Sequence, residues 1–295
     1  MWLLFALGSA LFSGLTAVLG KRGIRTTDST VATAIRTAVV LVFAWAVALV
    51  GSSTGGIGQI TPSTWAFLTL SGLATGASWL CYFRALSLGD VMRVAPVDKS
   101  STALTVLLAL VVLGEGVTWR SVVACALILA GALVMARPQG GEKSGAASGK
   151  GGPSHAWLPW AVGSAVFASL TAILGKVGIE GVDSNLGTAV RTCVVLVMAW
   201  AMVAVEGKGP QVRSVPRDEL GWIALSGVAT GAAWLCYWRA LQEGPASVVA
   251  PVDRLSIMVT AVLSRALLGE RASRRDVAGL ALSVLGTVLM ALPAL

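Results

Sequence analysis

Eight ionisable side chains stand inside stretches of this sequence that are otherwise apolar. They are Arg36, Arg84, Asp98 and Lys99 in the first half of the chain, and Arg191, Arg239, Asp253 and Arg254 in the second. A charge at the centre of a bilayer costs about 2.5–3.5 kcal/mol on insertion scales, so such groups must pair, reach the interface or line water. Basic groups placed in this way can bind an anion, and a buried aspartate can take up and release a proton.

Two interpretations of the Arg and Asp residues remain open at the level of sequence. Arg36 and Asp98 enter their apolar segments from the same side, as do Arg191 and Asp253, so each pair could form a structural salt bridge. Alternatively, Asp98 and Asp253 are proton-coupling sites, while Arg36 and Arg191 contact a substrate. Burial favours a neutral carboxylic acid and a nearby arginine favours the carboxylate, and the sequence does not decide between these effects.

Lys99 and Arg254 follow the two aspartates directly. On a continuous helix, neighbouring residues point about 100° apart, so Lys99 and Arg254 would be free to face a cavity if the aspartates face their arginines. Basic groups in the apolar segments outnumber acidic ones by six to two. This excess favours an anionic or zwitterionic substrate, although Lys99 and Arg254 could instead reach the interface or pair locally.

Aromatic and proline residues flank these charges. Trp79 with Tyr82, and Trp234 with Tyr237, are i,i+3 pairs that share one helix face, where they could stack on a substrate or serve as packing and interfacial residues. Pro251, like Pro96 in the first half, is expected in the first turn of its helix, where proline is easily accommodated. The alternative is a broken helix with a freed backbone carbonyl near the site.

Composition defines the class of protein. Of 295 residues, 56% are hydrophobic and only 12% are charged, which excludes a soluble globular domain and a disordered chain. The net charge of +8 must lie in loops, so a nucleic-acid partner is also excluded. Continuous apolar runs predict an all-α integral membrane protein with ten transmembrane helices. These are predicted at about 2–20, 30–50, 65–84, 93–113, 120–136, 156–175, 186–205, 220–240, 247–268 and 276–293.

The two halves of the chain are copies of each other at a constant offset of 155 residues. SGLATGASWLCYFRAL at 71–86 and SGVATGAAWLCYWRAL at 226–241 are identical at 13 of 16 positions, and VAPVD recurs at 94–98 and 249–253. Such similarity indicates a duplication. We therefore predict a first five-helix repeat at 1–137, a Gly/Ser-rich linker at 138–155 and a second five-helix repeat at 156–295.

An odd number of helices in each repeat requires the two copies to cross the membrane in opposite senses, which gives an inverted repeat. The loop charges agree, because alternate loops carry 13 Lys and Arg residues while the remaining loops carry Arg120 and Lys176. The positive-inside rule then predicts cytoplasmic basic loops and external termini in an inner (plasma) membrane.

Both halves resemble the EamA domain of the drug/metabolite transporter superfamily. The resemblance lies in five helices per unit, a fourth helix ending in Leu-Gly-Glu at 113–115 and 268–270, and a glycine-rich fifth helix. It implies a transporter in which the first four helices of each half surround a cavity and helices five and ten are peripheral. Glu115 and Glu270 of that motif are expected to be helix caps rather than binding groups.

The expected function is a secondary active transporter that exports a small anionic or zwitterionic metabolite, with the export direction implied by the family resemblance. The alternative is a flippase for a phosphate-bearing, lipid-linked substrate handled by Lys99, Arg254 and Arg36. An enzyme is not favoured, since the single histidine, His155, stands in a polar segment and no ATP-binding GxxxxGK[ST] sequence is present. We expect no cofactor and no metal, and a functional monomer, although a dimer is possible.

Overall fold

The structure, a computed structural model, is built of helices and their connections. It describes residues 1–51, 53–88, 94, 97–98, 100–115, 118–135, 155–268 and 274–292. The α-helices are α1 (Trp2–Gly23), α2 (Ser29–Val50), α3 (Pro62–Leu88), α4 (Ser101–Val112), α5 (Trp119–Met135), α6 (Leu158–Gly178), α7 (Ser184–Val205), α8 (Arg217–Glu243), α9 (Ala246–Asp253), α10 (Ser256–Leu268) and α11 (Arg274–Ala291). Short 3-10 helices lie at Ser53–Gln59, His155–Trp157 and Gly209–Ser214. The predicted linker falls outside the described residues except for His155.

The all-α prediction is confirmed for the described residues. Within them, six segments are long and apolar enough to cross a membrane: α1, α2, α6, α7, α8 and the stretch Ala246–Ala266. The third helix of each half is longer than predicted, since α3 and α8 each have 27 residues. At 1.5 Å per residue each extends about 40 Å, which exceeds the roughly 30 Å apolar core of a bilayer.

Large apolar side chains remain exposed along the outer faces of several helices. Leu11, Val42 and Val197 are 53%, 71% and 68% exposed, although each lies in the interior of its helix. In water a continuous apolar surface of this kind would promote association, whereas lipid tails solvate it. These faces therefore identify the side of each helix that contacts lipid.

The predicted segment at 247–268 matches the membrane-capable stretch Ala246–Ala266, but the chain turns within it at Arg254 and Leu255, between α9 and α10. Pro251 lies inside α9 rather than in a first turn that tolerates it. Proline has no N–H to donate, so the usual i→i−4 bond to Ser247 cannot form. The backbone tightens instead, with Arg254 N donating to Pro251 O at 3.0 Å and Leu255 N donating to Val252 O at 3.0 Å. For Pro251 the broken-helix interpretation is the correct one; Pro96 lies outside the described residues.

Helices of one half pack against helices of the other, and each contact recurs with the halves exchanged. The helix α1 packs on α8, and its counterpart α6 packs on α3. Gly72 of α3 lies against Val194, while Gly227 of α8 lies against Val39; the two glycines are 155 residues apart, and so are the two valines. Small residues at these crossings allow close helix approach, as in other membrane bundles. The two halves consequently share an extensive interface.

The helices α5 and α11 pack mainly on each other. Gly131 of α5 meets the backbone carbonyl of Gly279, and Gly286 of α11 meets that of Ala124. This is again a reciprocal contact, since the two glycines and the two facing positions are each 155 residues apart. The crossing has no room for a side chain at either glycine.

Candidate functional site

A cavity of about 370 Å³ lies between the two halves. Its walls combine three tryptophans and a tyrosine with hydroxyl groups, two arginines and one aspartate. The lining residues are Ser9, Ser13, Thr16, Arg36, Thr75, Trp79, Thr171, Arg191, Thr230, Trp234, Tyr237, Trp238 and Asp253. A cavity with apolar walls and a few convergent polar groups is the usual form of a small-molecule site.

Six of the residues singled out from the sequence line this cavity. They are Arg36, Arg191, Trp79, Trp234, Tyr237 and Asp253. Tyr82, Asp98 and Arg254 are described by the structure but are not among the lining residues, and Arg254 stands at the break between α9 and α10. Lys99 lies outside the described residues.

Arg191 is held in the wall by groups from both halves. Its Nε donates to Ser71 Oγ at 3.0 Å and its Nη2 donates to Thr75 Oγ1 at 2.6 Å. Its Cζ lies 4.5 Å from the ring centre of Trp238 and 5.3 Å from that of Trp234, which are cation–π distances. Only 3% of the residue is exposed. Two hydroxyls and two indoles thus offset the cost of burying this charge.

Neither arginine forms the salt bridge that one interpretation of the sequence required. Within the described part of the chain, Arg36 donates only to Thr33 Oγ1, at 3.3 Å, and no carboxylate lies within ion-pair distance of Arg36 or Arg191. The aspartates are bound by serines instead: Ser9 donates to Asp253 at 2.5 Å, and Ser164 donates to Asp98 at 2.9 Å. Each serine belongs to the opposite half from its aspartate.

Sequence reasoning missed several of the cavity residues. Ser9, Ser13, Thr16 and Thr171 are small hydroxyl residues within apolar helices, and Trp238 was not distinguished from packing aromatics. A signal did exist, because Ser9 and Ser164, like Thr16 and Thr171, are matched at the repeat offset of 155. Trp238 stands where the first repeat has Phe83, which marks a difference between the halves.

Glu115 of the Leu-Gly-Glu motif joins the first half to the start of α9 in the second. Its carboxylate accepts hydrogen bonds from Ala246 N at 2.7 Å and Ser247 N at 2.9 Å, and it pairs with Lys176 Nζ at 3.3 Å. A carboxylate at a helix N-terminus satisfies otherwise unbonded N–H groups and opposes the helix dipole. Burial raises the pKa of Glu115, but the hydrogen bonds from Ser247 and Ala246 and the charge of Lys176 outweigh burial and hold the pKa below its usual value.

Replacing Glu115 by Gln is expected to cost about 1 kcal/mol of stability at neutral pH, the usual size of a lost cap. Because the folded-state pKa is lowered, the stabilisation is present above pH 4.5, the ordinary value, and disappears as the pH falls through the folded-state pKa. Thermal unfolding in detergent between pH 7 and pH 3 should therefore show a smaller acid-induced loss of Tm in the variant. Glu180→Gln, which alters an exposed carboxylate, is the control. Equal pH dependence of wild type and Glu115→Gln would contradict this role.

A second ionic cluster joins the two halves just after the C-terminal end of α7. Lys208 Nζ lies 2.8 Å from Asp28 Oδ2 and 2.7 Å from Glu206 Oε2. Burial lowers the pKa of Lys208, but its hydrogen bonds to the two carboxylates outweigh burial and raise the pKa above its ordinary value. Next to this cluster, Glu219 accepts four hydrogen bonds from the backbone and hydroxyl groups of Thr26 and Thr27. Polar contacts thus join the two halves both at Glu115 and at Lys208 with Glu219.

Comparisons with known proteins bear on both the fold and the family of this chain. A curated relative from Sinorhizobium sp., described as an uncharacterized transporter in the cobO 3′ region, is 46% identical over 138 residues, which are 47% of this chain and 98% of the relative. A solved crystal structure, titled only as that of a protein, shares the fold with a TM-score of 0.76 at 19% identity, covering 99% of this chain and 97% of its own. The model of the EamA-like transporter family matches residues 1–137 and again 155–292. Two matches that together span nearly the whole chain establish that this multi-pass membrane protein belongs to the EamA-like transporter family.

Proposed function

We propose that this protein is a secondary active transporter that exports a small anionic or zwitterionic metabolite by alternating access. The observation that carries the proposal is the cavity between the two halves, which holds two guanidinium groups, one carboxylate and four aromatic rings. Sites of this kind lie at the interface between repeats in secondary transporters. Rocking of one half against the other would expose the cavity to each side of the membrane in turn.

The proposed architecture is ten transmembrane helices in two inverted five-helix repeats. Support comes from the reciprocal contacts of α1 with α8 and α6 with α3, which a two-fold axis in the membrane plane would generate. The loop before α2 and the loop after α7 meet at the Lys208 cluster, which requires both loops to lie on the same side of the membrane. The basic loops are proposed to be cytoplasmic in the inner membrane, with external termini. A single chain already provides both repeats, so we propose a functional monomer.

Asp253 is the proposed proton-coupling residue at the cavity, with Asp98 as its counterpart in the first repeat. Arg36 and Arg191 supply positive charge there, and Lys99 and Arg254 adjoin the two aspartates in sequence. The aromatic contacts are assigned to Trp79, Trp234 and Tyr237, with Tyr82 the repeat counterpart of Tyr237. A proton taken up by Asp253 on one side and released on the other would couple transport to the pH gradient.

Reconstituted liposomes with an imposed pH gradient test this function. A pool of anionic, zwitterionic and cationic metabolites is supplied outside, and the compounds retained inside are identified by mass spectrometry against protein-free liposomes. We expect anions or zwitterions to accumulate, with less accumulation when an ionophore collapses the gradient. Accumulation of cations alone, or of nothing beyond the protein-free control, would refute the proposal.

A further inference from the structure

The arginines Arg36 and Arg191 occupy matching positions in the two repeats but have different surroundings. Arg191 makes two hydrogen bonds and two cation–π contacts and is almost fully buried. A guanidinium has five N–H donors in a rigid planar fork. With its Nε and Nη2 bound to hydroxyls, its guanidinium near two indoles and only 3% of the residue exposed, Arg191 is held more firmly in the wall than Arg36.

Arg36 retains more hydrogen-bonding capacity than Arg191. Its one hydrogen bond within the described part of the chain is the 3.3 Å contact of Nη2 with Thr33 Oγ1, on its own helix. The hydroxyls that correspond by repeat to the partners of Arg191 are Ser226 and Thr230. They contact Thr16, just as Ser71 and Thr75 contact Thr171, but neither accepts a hydrogen bond from Arg36. Arg36 nevertheless lines the cavity. Four of its five N–H donors therefore form no hydrogen bond with the described residues.

The cavity walls near these arginines are aromatic. The tryptophans at 79, 234 and 238 and the tyrosine at 237 all line it, and Trp238 meets Tyr237 edge to face, with ring centres 5.5 Å apart. Arg191 contacts two of these indoles and so fixes their orientation. Flat ring surfaces of this kind favour a flat apolar ligand by stacking, in offset or edge-to-face geometry.

We propose that Arg36 binds the anionic group of the substrate, while Arg191 is a positioning residue that holds the Trp234 and Trp238 wall. The substrate class is then a carboxylate attached to a flat, aromatic body, because the planar fork of Arg36 matches a carboxylate in bidentate geometry. This assignment rests on the proposed transport function and specifies its substrate. Arg36 and Arg191 thus have different roles, whereas a strictly symmetric repeat would give them the same role.

Binding to the purified full-length protein in detergent tests the assignment without any transport step. The probes are benzoate, acetate, which lacks the ring, and benzylamine, which has the ring with the opposite charge. Wild type should bind benzoate most tightly. Arg36→Gln should weaken benzoate binding at least tenfold and leave the ligand-free Tm and the near-UV circular dichroism of the tryptophans close to wild type. Arg36→Lys should recover part of the affinity, since it keeps the charge but not the fork.

Arg191→Gln is the matched comparison, and it should lower the ligand-free Tm and alter the near-UV tryptophan signal. Arg191→Lys should restore part of both. The assignment is overturned if Arg36→Gln and Arg36→Lys bind benzoate as wild type does, or if wild type binds benzoate no better than acetate or benzylamine, or not at all. Should the liposome assay show anion transport while Arg36→Gln retains benzoate affinity, this inference fails and the transport function stands. A wild type that transports nothing refutes the transport function itself.

Discussion

Replacing Asp253 by Asn is expected to reduce the initial rate of pH-gradient-driven uptake into liposomes at least tenfold, which corresponds to about 1.4 kcal/mol in the barrier. Asparagine has the size of aspartate and can still accept the hydrogen bond from Ser9, but it cannot take up and release a proton. Asp253 lines the cavity, so its proton is placed where a substrate can sense it. The measurement is uptake with and without the gradient, on the substrates found in the metabolite screen.

Three controls separate coupling from damage to the fold. Exchange of labelled for unlabelled substrate without a gradient should persist in Asp253→Asn, because binding and rocking need no net proton movement. Ser9→Ala removes the 2.5 Å hydrogen bond but keeps the carboxylate, and it should retain gradient-driven uptake. Asp98→Asn should also reduce uptake, though less, since Asp98 is not among the residues that line the cavity. Undiminished gradient-driven uptake in both Asn variants would remove proton coupling through these residues.

Replacing Gly131 by Leu is expected to destabilise the protein by at least the ~1–3 kcal/mol typical of an overpacked core. A Cβ atom at Gly131 would lie 2.5 Å from Gly279 O and 2.9 Å from Ser283 N, which are backbone atoms that cannot rotate away. The helices α5 and α11 would have to separate along their shared crossing. Thermal unfolding in detergent should show a lower Tm for Gly131→Leu, and a smaller decrease for Gly131→Ala.

Gly221 of α8 provides the matched control for that experiment, because no heavy atom lies within 4 Å of a Cβ built there. Gly221→Ala should leave the Tm unchanged or raise it slightly, since alanine favours a helix by up to about 1 kcal/mol. Gly286→Leu should repeat the loss seen with Gly131→Leu, because Gly286 meets Ala124 O at 2.7 Å. A wild-type Tm in both Leu variants would show that this crossing does not stabilise the protein.

The sequence predicted the helices better than it predicted the side-chain partners. Apolar runs and the repeat offset located the helical segments, because length and hydropathy are properties of a local stretch of chain. The bonds from Ser9 to Asp253 and from Arg191 to Thr75 join residues 244 and 116 positions apart. No local pattern indicates which of many hydroxyls will meet a given charge.

The expectation for Arg254 shows a second limit of predicting side-chain direction from the sequence. Its direction relative to Asp253 was derived from the 100° rotation per residue of a continuous helix. Arg254 instead caps α9 where the backbone bonds tighten to the i→i−3 pattern, so it does not lie on one continuous α-helix with the residues of α10. Pro251 carried the information needed, but proline is compatible both with a first turn and with a break. The contacts around Pro251 include the bond from Thr287 Oγ1 to Pro251 O, which joins residues 36 positions apart and is not visible in the local sequence.

The crossed serine–aspartate bonds impose an order on biosynthesis. Chains enter the membrane from their N-terminus as they are made. Ser9 and Glu115 are therefore synthesised before Asp253 and the start of α9, so both partners are present when this part of the second repeat emerges. The first repeat has no such advantage, because Asp98 must wait for Ser164, which is translated 66 residues later. During that interval the nascent first repeat holds a carboxylate without its native hydrogen-bond donor.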